Sequence, residues 1–174
     1  MQQEALDRVI CGLYESLLVP ERRLQTIDSV IGCLGYRQGV WWIPHDEHPA
    51  RSTAAYTGDP AAVELYRRDY ATIDRWQAEL LQRPEGVATP LSRRHNETHY
   101  ARDRCYNEFM RGVLGICGVY TMPVRHHRGQ VAHFTVHQEP DEPEPGDRVA
   151  AILDHLGPHL RQFHLLYQEI ETLR

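Results

Sequence analysis

The sequence predicts an α+β fold in which a central antiparallel sheet of four to five strands is covered by helices and followed by a long C-terminal helix. Two amphipathic segments open the chain, β-favouring runs occupy its middle, and a segment of helical periodicity closes it. Its 174 residues, 41% of them hydrophobic, suit one core. We therefore predict a single domain over residues 1–174, with N-terminal helices in 1–34, the sheet and its pocket helices in 35–138, and a dimerisation helix in 147–173.

Two N-terminal helices are predicted over residues 3–18 and 20–34, because apolar side chains recur there at spacings of three and four. Pro20 suits the first position of the second helix, and Gly35 is placed to end it. The recurring positions are Leu6, Val9, Ile10, Leu13 and Leu17 in the first helix, and Leu24, Ile27, Ile31 and Leu34 in the second.

Two antiparallel hairpins are predicted from pairs of β-favouring runs separated by polar or glycine-containing connections. The strands and connections, in chain order, are 39–44, 45–50 and 51–57 for the first hairpin, and 115–125, 126–129 and 130–138 for the second. The second hairpin has the clearer pattern, since Gly129 suits a tight turn.

The remaining segments are predicted to be helical or extended. Asp59 before Pro60 is typical of a helix start, and this helix runs to about residue 81 with a break near Asp74. Residues 86–90 favour a short strand, and 97–112 a further helix. An acidic, proline-rich loop at 139–146 leads into the helix 147–173, and the resulting order of elements resembles a GAF or PAS-like layout.

Charge and hydropathy exclude several classes of protein. The formal net charge is −5, and all 19 strongly basic residues are scattered arginines, so the chain lacks the clustered positive charge that holds nucleic acid. No segment has the uninterrupted apolar length of a secretory signal or a membrane span. We therefore expect a cytoplasmic protein without a membrane partner.

No motif predicts a disulfide framework, a metal centre or an enzyme. Cys11, Cys33, Cys105 and Cys117 lie far apart without a CxxC pair, so we expect buried thiols. The eleven histidines do not follow metal-ligand or haem spacing, and the sequence identifies no cofactor. A GxSxG elbow and a glycine-rich phosphate loop are also lacking, which predicts that the chain is not an enzyme.

One strand carries alternating polar and apolar side chains. His133, Thr135 and His137 alternate with Phe134 and Val136, so the two sets face opposite sides of the sheet. If helices cover both sides, the polar set lines a cavity and can hydrogen-bond a ligand. The alternative is a strand whose histidines face solvent.

Aromatic side chains are more numerous than an aliphatic core requires, and buried tyrosine hydroxyls need partners. Trp41 and Trp42 must face opposite sides of their strand, so one of them belongs to the core. For each aromatic residue, plain core packing is the alternative to ligand contact. The predicted ligand-binding residues are Trp42, Tyr56, Tyr66, Tyr70, Asp74, Trp76, Tyr106, His133 and His137.

Three stretches resemble the N-terminal sensory region of LuxR-type transcriptional regulators, which includes autoinducer-binding-like domains. They are YRRDYATIDRW at 66–76, CYNEFMRG at 105–112 and LGPHLR at 156–161. In that family an aromatic helix runs into a DPW-like corner, a helix with a similar NEF pattern precedes the last hairpin, and an L-x-PHLR helix follows it. The order and spacing agree over about the whole chain.

The resemblance implies a bacterial small-molecule sensor that contacts DNA only through a helix-turn-helix following the sensor. That segment would begin beyond Arg174 and is absent from this sequence, so we expect either an excised sensor region or a family member without the DNA-binding part. In autoinducer-binding relatives an Asp-Pro pair helps to hold the amide of an acyl-homoserine lactone. Here Asp74 is followed by Arg75, which departs from that pattern.

The C-terminal helix has more apolar positions than one face needs, which predicts pairing with the same helix of a second chain. The predicted dimer residues are Leu156, Leu160, Phe163, Leu166 and Ile170. Pro158 interrupts the helix interior, and His159 beside it either packs at a kink or belongs to a joint that transmits the ligand state.

Two functional hypotheses follow from the sequence. In the first, a small-molecule effector binds between sheet and helices and changes the arrangement of a homodimer. This requires an internal cavity on the order of a few hundred Å³. In the second, the chain is a stand-alone dimeric protein-interaction module with a solid interior and no ligand.

Overall fold

A computed structural model describes residues 2–44, 53–91, 93–127, 130–144 and 146–173. The helices are α1 (Gln2–Leu18), α2 (Arg23–Leu34), α3 (Pro60–Asp69), α4 (Arg75–Leu80), α5 (Arg93–His99) and α6 (Asp147–Thr172), with a 3₁₀ turn at Pro20–Arg22 and a π-helix at Cys105–Arg111. The strands are β1 (Gln38–Ile43), β2 (Thr53–Tyr56), β3 (Thr89–Leu91), β4 (Gly118–His127) and β5 (Gln130–Gln138). Within the described residues, no helix combines the length and apolar character needed to cross a bilayer.

The five strands form one antiparallel sheet in the order β2-β1-β5-β4-β3. Both predicted hairpins are present, since β1 pairs with β2 and β4 pairs with β5. β5 also pairs with β1 and is therefore the central strand. The predicted 45–50 connection, the strand start at 51–52 and the turn residues 128–129 lie outside the described residues. The α+β class and the predicted strand number are confirmed.

One face of the sheet is covered by α1, α2 and α6, and this layer contains the larger core. Trp41 and Phe134, neighbours on β1 and β5, both point into it, and the Trp41 ring centroid lies 4.8 Å from that of Phe163 on α6. The Tyr14 hydroxyl on α1 lies 3.2 Å from Nδ1 of His159. His159 therefore packs against a neighbouring helix, as one of its two sequence-based interpretations expected.

The opposite face is covered by α3, α4 and the π-helix, which form a second, aromatic core. Trp42 points to this side, with its ring centroid 5.3 Å from that of Tyr66 on α3. Tyr66 in turn lies 5.4 Å from Phe109 of the π-helix. The two adjacent tryptophans thus face opposite sides, and both faces of the sheet are buried.

Helix ends follow local signals in the sequence. Gly35 ends α2 with a φ of 87°, a conformation that favours glycine. Oδ1 of Asp59 accepts a hydrogen bond from the Ala61 amide at 2.9 Å and begins α3. The single helix predicted over 97–112 is corrected to two helices, α5 and the π-helix. Between them, Oδ1 of Asp103 accepts a hydrogen bond from the Tyr106 amide at 2.8 Å and caps the start of the second helix.

The structure corrects the assignment of three predicted dimer residues. Leu156, Leu160 and Phe163 have no exposed surface, because α1 and β4 take up the wide apolar face of α6 within the same chain. Ile170 is half-buried against the same core, and only Leu166 of the five is exposed. The excess of apolar positions on α6 therefore reflects two neighbours inside the chain.

The prediction of four buried thiols is correct for Cys105 and Cys117 only. Cys33 is half-buried, and Cys11 is exposed because the apolar stripe of α1 faces the core from the other side of the helix. All four thiols are free.

Candidate ligand-binding cavity

A cavity of about 80 Å³ lies between the sheet and the helices of the aromatic layer. It is smaller than the few hundred Å³ expected from the sequence, and small beside typical ligand sites of about 300–1,000 Å³. Strands β1, β2, β4 and β5 form its floor, and α3, α4, the π-helix and the residues just after it form its cover. Its lining residues are Val40, Trp42, Ala54, Tyr56, Ala62, Val63, Tyr66, Asp74, Trp76, Gln77, Leu80, Phe109, Met110, Leu114, Thr121, His133, Thr135 and His137.

His133 on β5 is held from both ring nitrogens. The Gln77 amide nitrogen on α4 donates to its Nε2 at 2.9 Å, so Nδ1 carries the proton and donates to the Thr135 hydroxyl, also at 2.9 Å. The Thr135 hydroxyl continues to that of Thr121 on β4 at 2.7 Å. A row of hydrogen bonds therefore crosses the cavity floor from the covering helix to β4.

His137, two residues further along the same face of β5, is buried with 6% of its surface exposed. Its Nδ1 has no hydrogen-bond partner among the described residues. Its ring lies 5.8 Å from the Tyr56 ring and forms part of the cavity wall. A buried polar atom without a partner costs about 1–3 kcal/mol.

Both histidines are neutral at physiological pH. Burial lowers the pKa of His133 to about 3, with a further contribution from His137. Burial likewise lowers the pKa of His137 to about 4. Each ring therefore offers one donor and one acceptor, and neither provides a positive charge.

Asp74 joins α3 to α4 and faces the cavity. Its Oδ1 accepts the Trp76 amide hydrogen bond at 2.8 Å and caps α4, while Oδ2 accepts the Tyr66 hydroxyl at 2.6 Å. Burial raises the pKa of this carboxyl to about 6, although these hydrogen bonds act in the opposite direction. Among the described residues that line the cavity, none is an arginine, so nothing in the wall offsets a negative charge.

Seven of the nine predicted ligand-binding residues line this one cavity: Trp42, Tyr56, Tyr66, Asp74, Trp76, His133 and His137. Tyr70 and Tyr106 do not. The Tyr70 ring packs 5.1 Å from Phe109 on the outer side of the layer, and its hydroxyl donates to Glu108 at 3.3 Å. The Tyr106 ring packs against Tyr100 at 6.1 Å.

Several lining residues were not predicted from the sequence. Gln77 lies on a helix of six residues, too short to show periodicity, and its role depends on the fold bringing it to His133. Thr121 has a detectable signal, since it alternates with the core residues Tyr120 and Met122 along β4. Ala62, Phe109 and Met110 carry only the general pattern of buried apolar residues.

The described residues contain no group of three or more His, Cys, Asp or Glu side chains that could hold a metal ion. The two histidines line the same cavity as one carboxyl, Asp74, but that carboxyl is engaged with Tyr66 and the α4 backbone. The polar groups here are arranged for hydrogen bonding.

No protein-family model and no curated protein sequence matches the chain. Among solved structures it is similar to the phycoerythrobilin-bound GAF domain of a cyanobacterial phytochrome, with a TM-score of 0.62, 13% identity, and coverage of 97% of this chain and 96% of that one. It is also similar to the GAF domain of a protein described as a sensor histidine kinase from Pseudomonas syringae pathovar tomato, with a TM-score of 0.54, 10% identity, and coverage of 99% and 95%. These similarities establish a GAF-like fold.

Proposed function

We propose that this chain is a small-molecule-binding sensor domain whose site is the cavity over β5. The observation that carries the proposal is the Nδ1 atom of His137, which is buried in the cavity wall without a partner while the neighbouring His133 is fully bonded. A guest that bonds this atom removes its desolvation cost. The alternative of an interaction module without a ligand gives no role to the cavity.

The lining favours an uncharged ligand. The aromatic rings of Trp42, Tyr66 and Trp76 supply apolar contact area, and the neutral His137 ring supplies a directional hydrogen bond. An anion would face the Asp74 carboxyl with no arginine among the described lining residues. The ligand therefore bears a hydrogen-bonding group at the His137 end and an apolar body against the rings.

Binding without catalysis is the proposed activity. Burial raises the pKa of the nearby Cys105 thiol well above its usual value, so this cysteine is not a thiolate nucleophile at neutral pH. His133 is held on both sides by hydrogen bonds and is too weak a base near pH 7 to take a proton from a substrate.

One solved relative, the phytochrome GAF domain, holds a bilin. This supports the general idea that a domain of this fold can hold a ligand. A bilin is far larger than a cavity of about 80 Å³, so the ligand of this chain is a smaller molecule.

We further propose that the domain regulates transcription as the sensor of a LuxR-type regulator, with DNA contacted by a separate helix-turn-helix. Two of the three stretches that carry the resemblance, 66–76 and 105–112, supply cavity walls. The third, 156–161, lies in α6 on the other side of the sheet. β5 connects the two sides, because His133 and His137 face the ligand while Phe134 and Val136 face the layer that contains α6.

A homodimer through the exposed part of α6 is included in this proposal. Leu166 on α6 and Leu173, directly after its end, are exposed apolar residues that can contact a second copy. Replacing Leu166 by Glu should lower the dimer fraction in sedimentation velocity without lowering the melting temperature. An unchanged dimer fraction in this variant would show that Leu166 does not contribute to a dimer contact.

A thermal-shift screen of uncharged small molecules tests the central proposal. Wild-type protein should be stabilised by about 2.7 kcal/mol at a hundred times the Kd of a true ligand. Ala62→Leu, which fills the cavity, should melt at or above the wild-type temperature and not respond. Ala78→Leu, the same change at an exposed position of α4, should respond as wild type does. No stabilising compound, or an equal response of Ala62→Leu, would overturn the proposal.

A further inference from the structure

A second pocket adjoins the cavity. It has a volume of about 250 Å³, lies at the outer surface beside the end of β2 and the start of α3, and is lined by Gln38, Tyr56, Gly58, Asp59, Ala61, Ala62, Leu65, Val113 and Leu114. Tyr56, Ala62 and Leu114 line this outer pocket and the inner cavity alike. These three residues therefore form the wall between the two spaces.

Within this wall, Tyr56 has the largest side chain. Its ring faces His137 on the inner side, with the centroids 5.8 Å apart. On the outer side it rests against Gly58, since a Cβ atom on that glycine would overlap the ring Cζ and hydroxyl oxygen of Tyr56. Ala62 is too short to open or close a passage, and the Leu114 side chain is smaller than the tyrosine ring. The Tyr56 ring is therefore the largest barrier between the two spaces.

One hydrogen bond holds the ring in place. The Tyr56 hydroxyl donates to Oε1 of Gln38 at 2.7 Å. Gln38 is itself fixed, because its amide nitrogen donates to Oε1 of Glu139 at 2.8 Å, and Glu139 pairs with Arg37 at 2.7 Å. The acceptor is therefore held by contacts that do not involve the ring.

We propose that Tyr56 is a gate, and that the ligand is an elongated uncharged molecule that occupies both the inner cavity and the outer pocket. Its inner end bonds His137 and its outer end lies beside Gln38 and Asp59. This inference rests on the proposed function and extends it. The inner cavity alone is too small for most ligands, but the two spaces joined reach the lower end of the usual range of about 300–1,000 Å³.

The walls disfavour an anionic ligand. No arginine occurs among the described residues that line either space, and Asp59 and Asp74 would repel an anion at the outer and inner ends. The elongated shape follows from the arrangement of the two spaces on either side of one ring.

Stopped-flow fluorescence with N-phenyl-1-naphthylamine, an uncharged elongated dye that brightens in apolar surroundings, tests the gate. The variants are Tyr56→Ala, which removes the wall, Tyr56→Phe, which removes only the hydrogen bond, and Gly58→Ala, whose Cβ displaces the ring. Tyr36→Phe is the matched control, because the Tyr36 hydroxyl donates to the Pro143 carbonyl at 3.0 Å, away from the cavity. Circular dichroism melting verifies that each variant is folded.

The dye should enter Tyr56→Ala at least about tenfold faster than wild type. Tyr56→Phe should show an increase of about two- to tenfold, the worth of one hydrogen bond. Gly58→Ala should also be faster, and Tyr36→Phe should match wild type. Equal association rates in all five proteins would overturn the gate but leave the ligand site standing. A dye that binds none of them, Tyr56→Ala included, would overturn the gate and the proposed ligand site together.

Discussion

Nε2 of His133 lies 2.9 Å from the side-chain amide nitrogen of Gln77, and this contact ties the central strand of the sheet to the short helix that covers the cavity. α4 has only six residues and two buried ones, Trp76 and Leu80, so its position depends on a few contacts. Under the proposed function, a ligand beside His133 would contact both the sheet and its cover.

Removing the Gln77 side chain should destabilise the domain. Gln77→Ala leaves the buried Nε2 of His133 without a donor, which costs about 1–3 kcal/mol. Gln162→Ala, at an exposed position of α6, is the control and should change the free energy of unfolding by less than about 0.5 kcal/mol. Urea denaturation measures both. Equal stability of the two variants would show that the His133–Gln77 contact contributes nothing.

Acidification should destabilise the protein through the two cavity histidines. Their folded pKa values, about 3 and about 4, lie below the ordinary value of 6.5, so between these limits the unfolded chain binds more protons. The free energy of unfolding is therefore unaffected by these histidines above pH 6.5. It falls as the pH falls below 6.5, by roughly 2 kcal/mol for each histidine at pH 5.

The variant His137→Leu should lose stability less steeply than wild type between pH 7 and pH 5. His155→Leu, which changes an exposed histidine of α6, should keep the wild-type slope. Urea denaturation at a series of pH values gives these slopes. Identical slopes for wild type and His137→Leu would mean that His137 is not held neutral by burial.

Asp74 should have the opposite pH dependence. Its folded pKa of about 6 lies above the ordinary 3.8, so the folded state binds more protons between these values and loses stability as the pH rises through 6. Asp74→Asn keeps a capping oxygen for α4 and removes the charge. It should therefore be more stable than wild type at pH 8, by on the order of 1–2 kcal/mol, and similar to it at pH 4. A stability difference that does not change with pH would contradict this assignment.

Replacing two apolar residues of α6 by alanine should lower the stability of the domain by different amounts. Phe163→Ala removes a ring packed 4.8 Å from Trp41 in the core and should cost about 3–5 kcal/mol. Leu166→Ala changes an exposed side chain and should cost less than about 1 kcal/mol. Chemical denaturation of both variants checks this. An equally small loss of stability in Phe163→Ala would contradict the placement of Phe163 in the core.

Sequence periodicity predicted the parts of this fold that depend on which side of an element a residue faces. The alternation along β5 separated His133 from Phe134, and adjacency on β1 separated Trp41 from Trp42, because side chains on a strand must alternate. Seven of the nine predicted site residues consequently share one cavity.

Features set by long-range packing were not predictable in this way. Periodicity shows which faces of α6 are apolar, but it does not show whether α1 of the same chain or a second chain covers them. For this reason Phe163 was predicted at a dimer contact. The split between α5 and the π-helix depends on Asp103 capping a new start. The cavity volume depends on how rings such as Tyr56 pack across elements, which no single segment encodes.

Nitrogen-15 NMR of the histidine imidazole groups tests the ligand site most directly, using protein free and saturated with a compound that raises its melting temperature. The account predicts that the Nδ1 resonance of His137 shifts as that atom gains a hydrogen-bond partner, while the resonances of exposed His155 on α6 stay in place. A compound that stabilises the protein yet leaves the His137 resonances unchanged would contradict the cavity as the binding site.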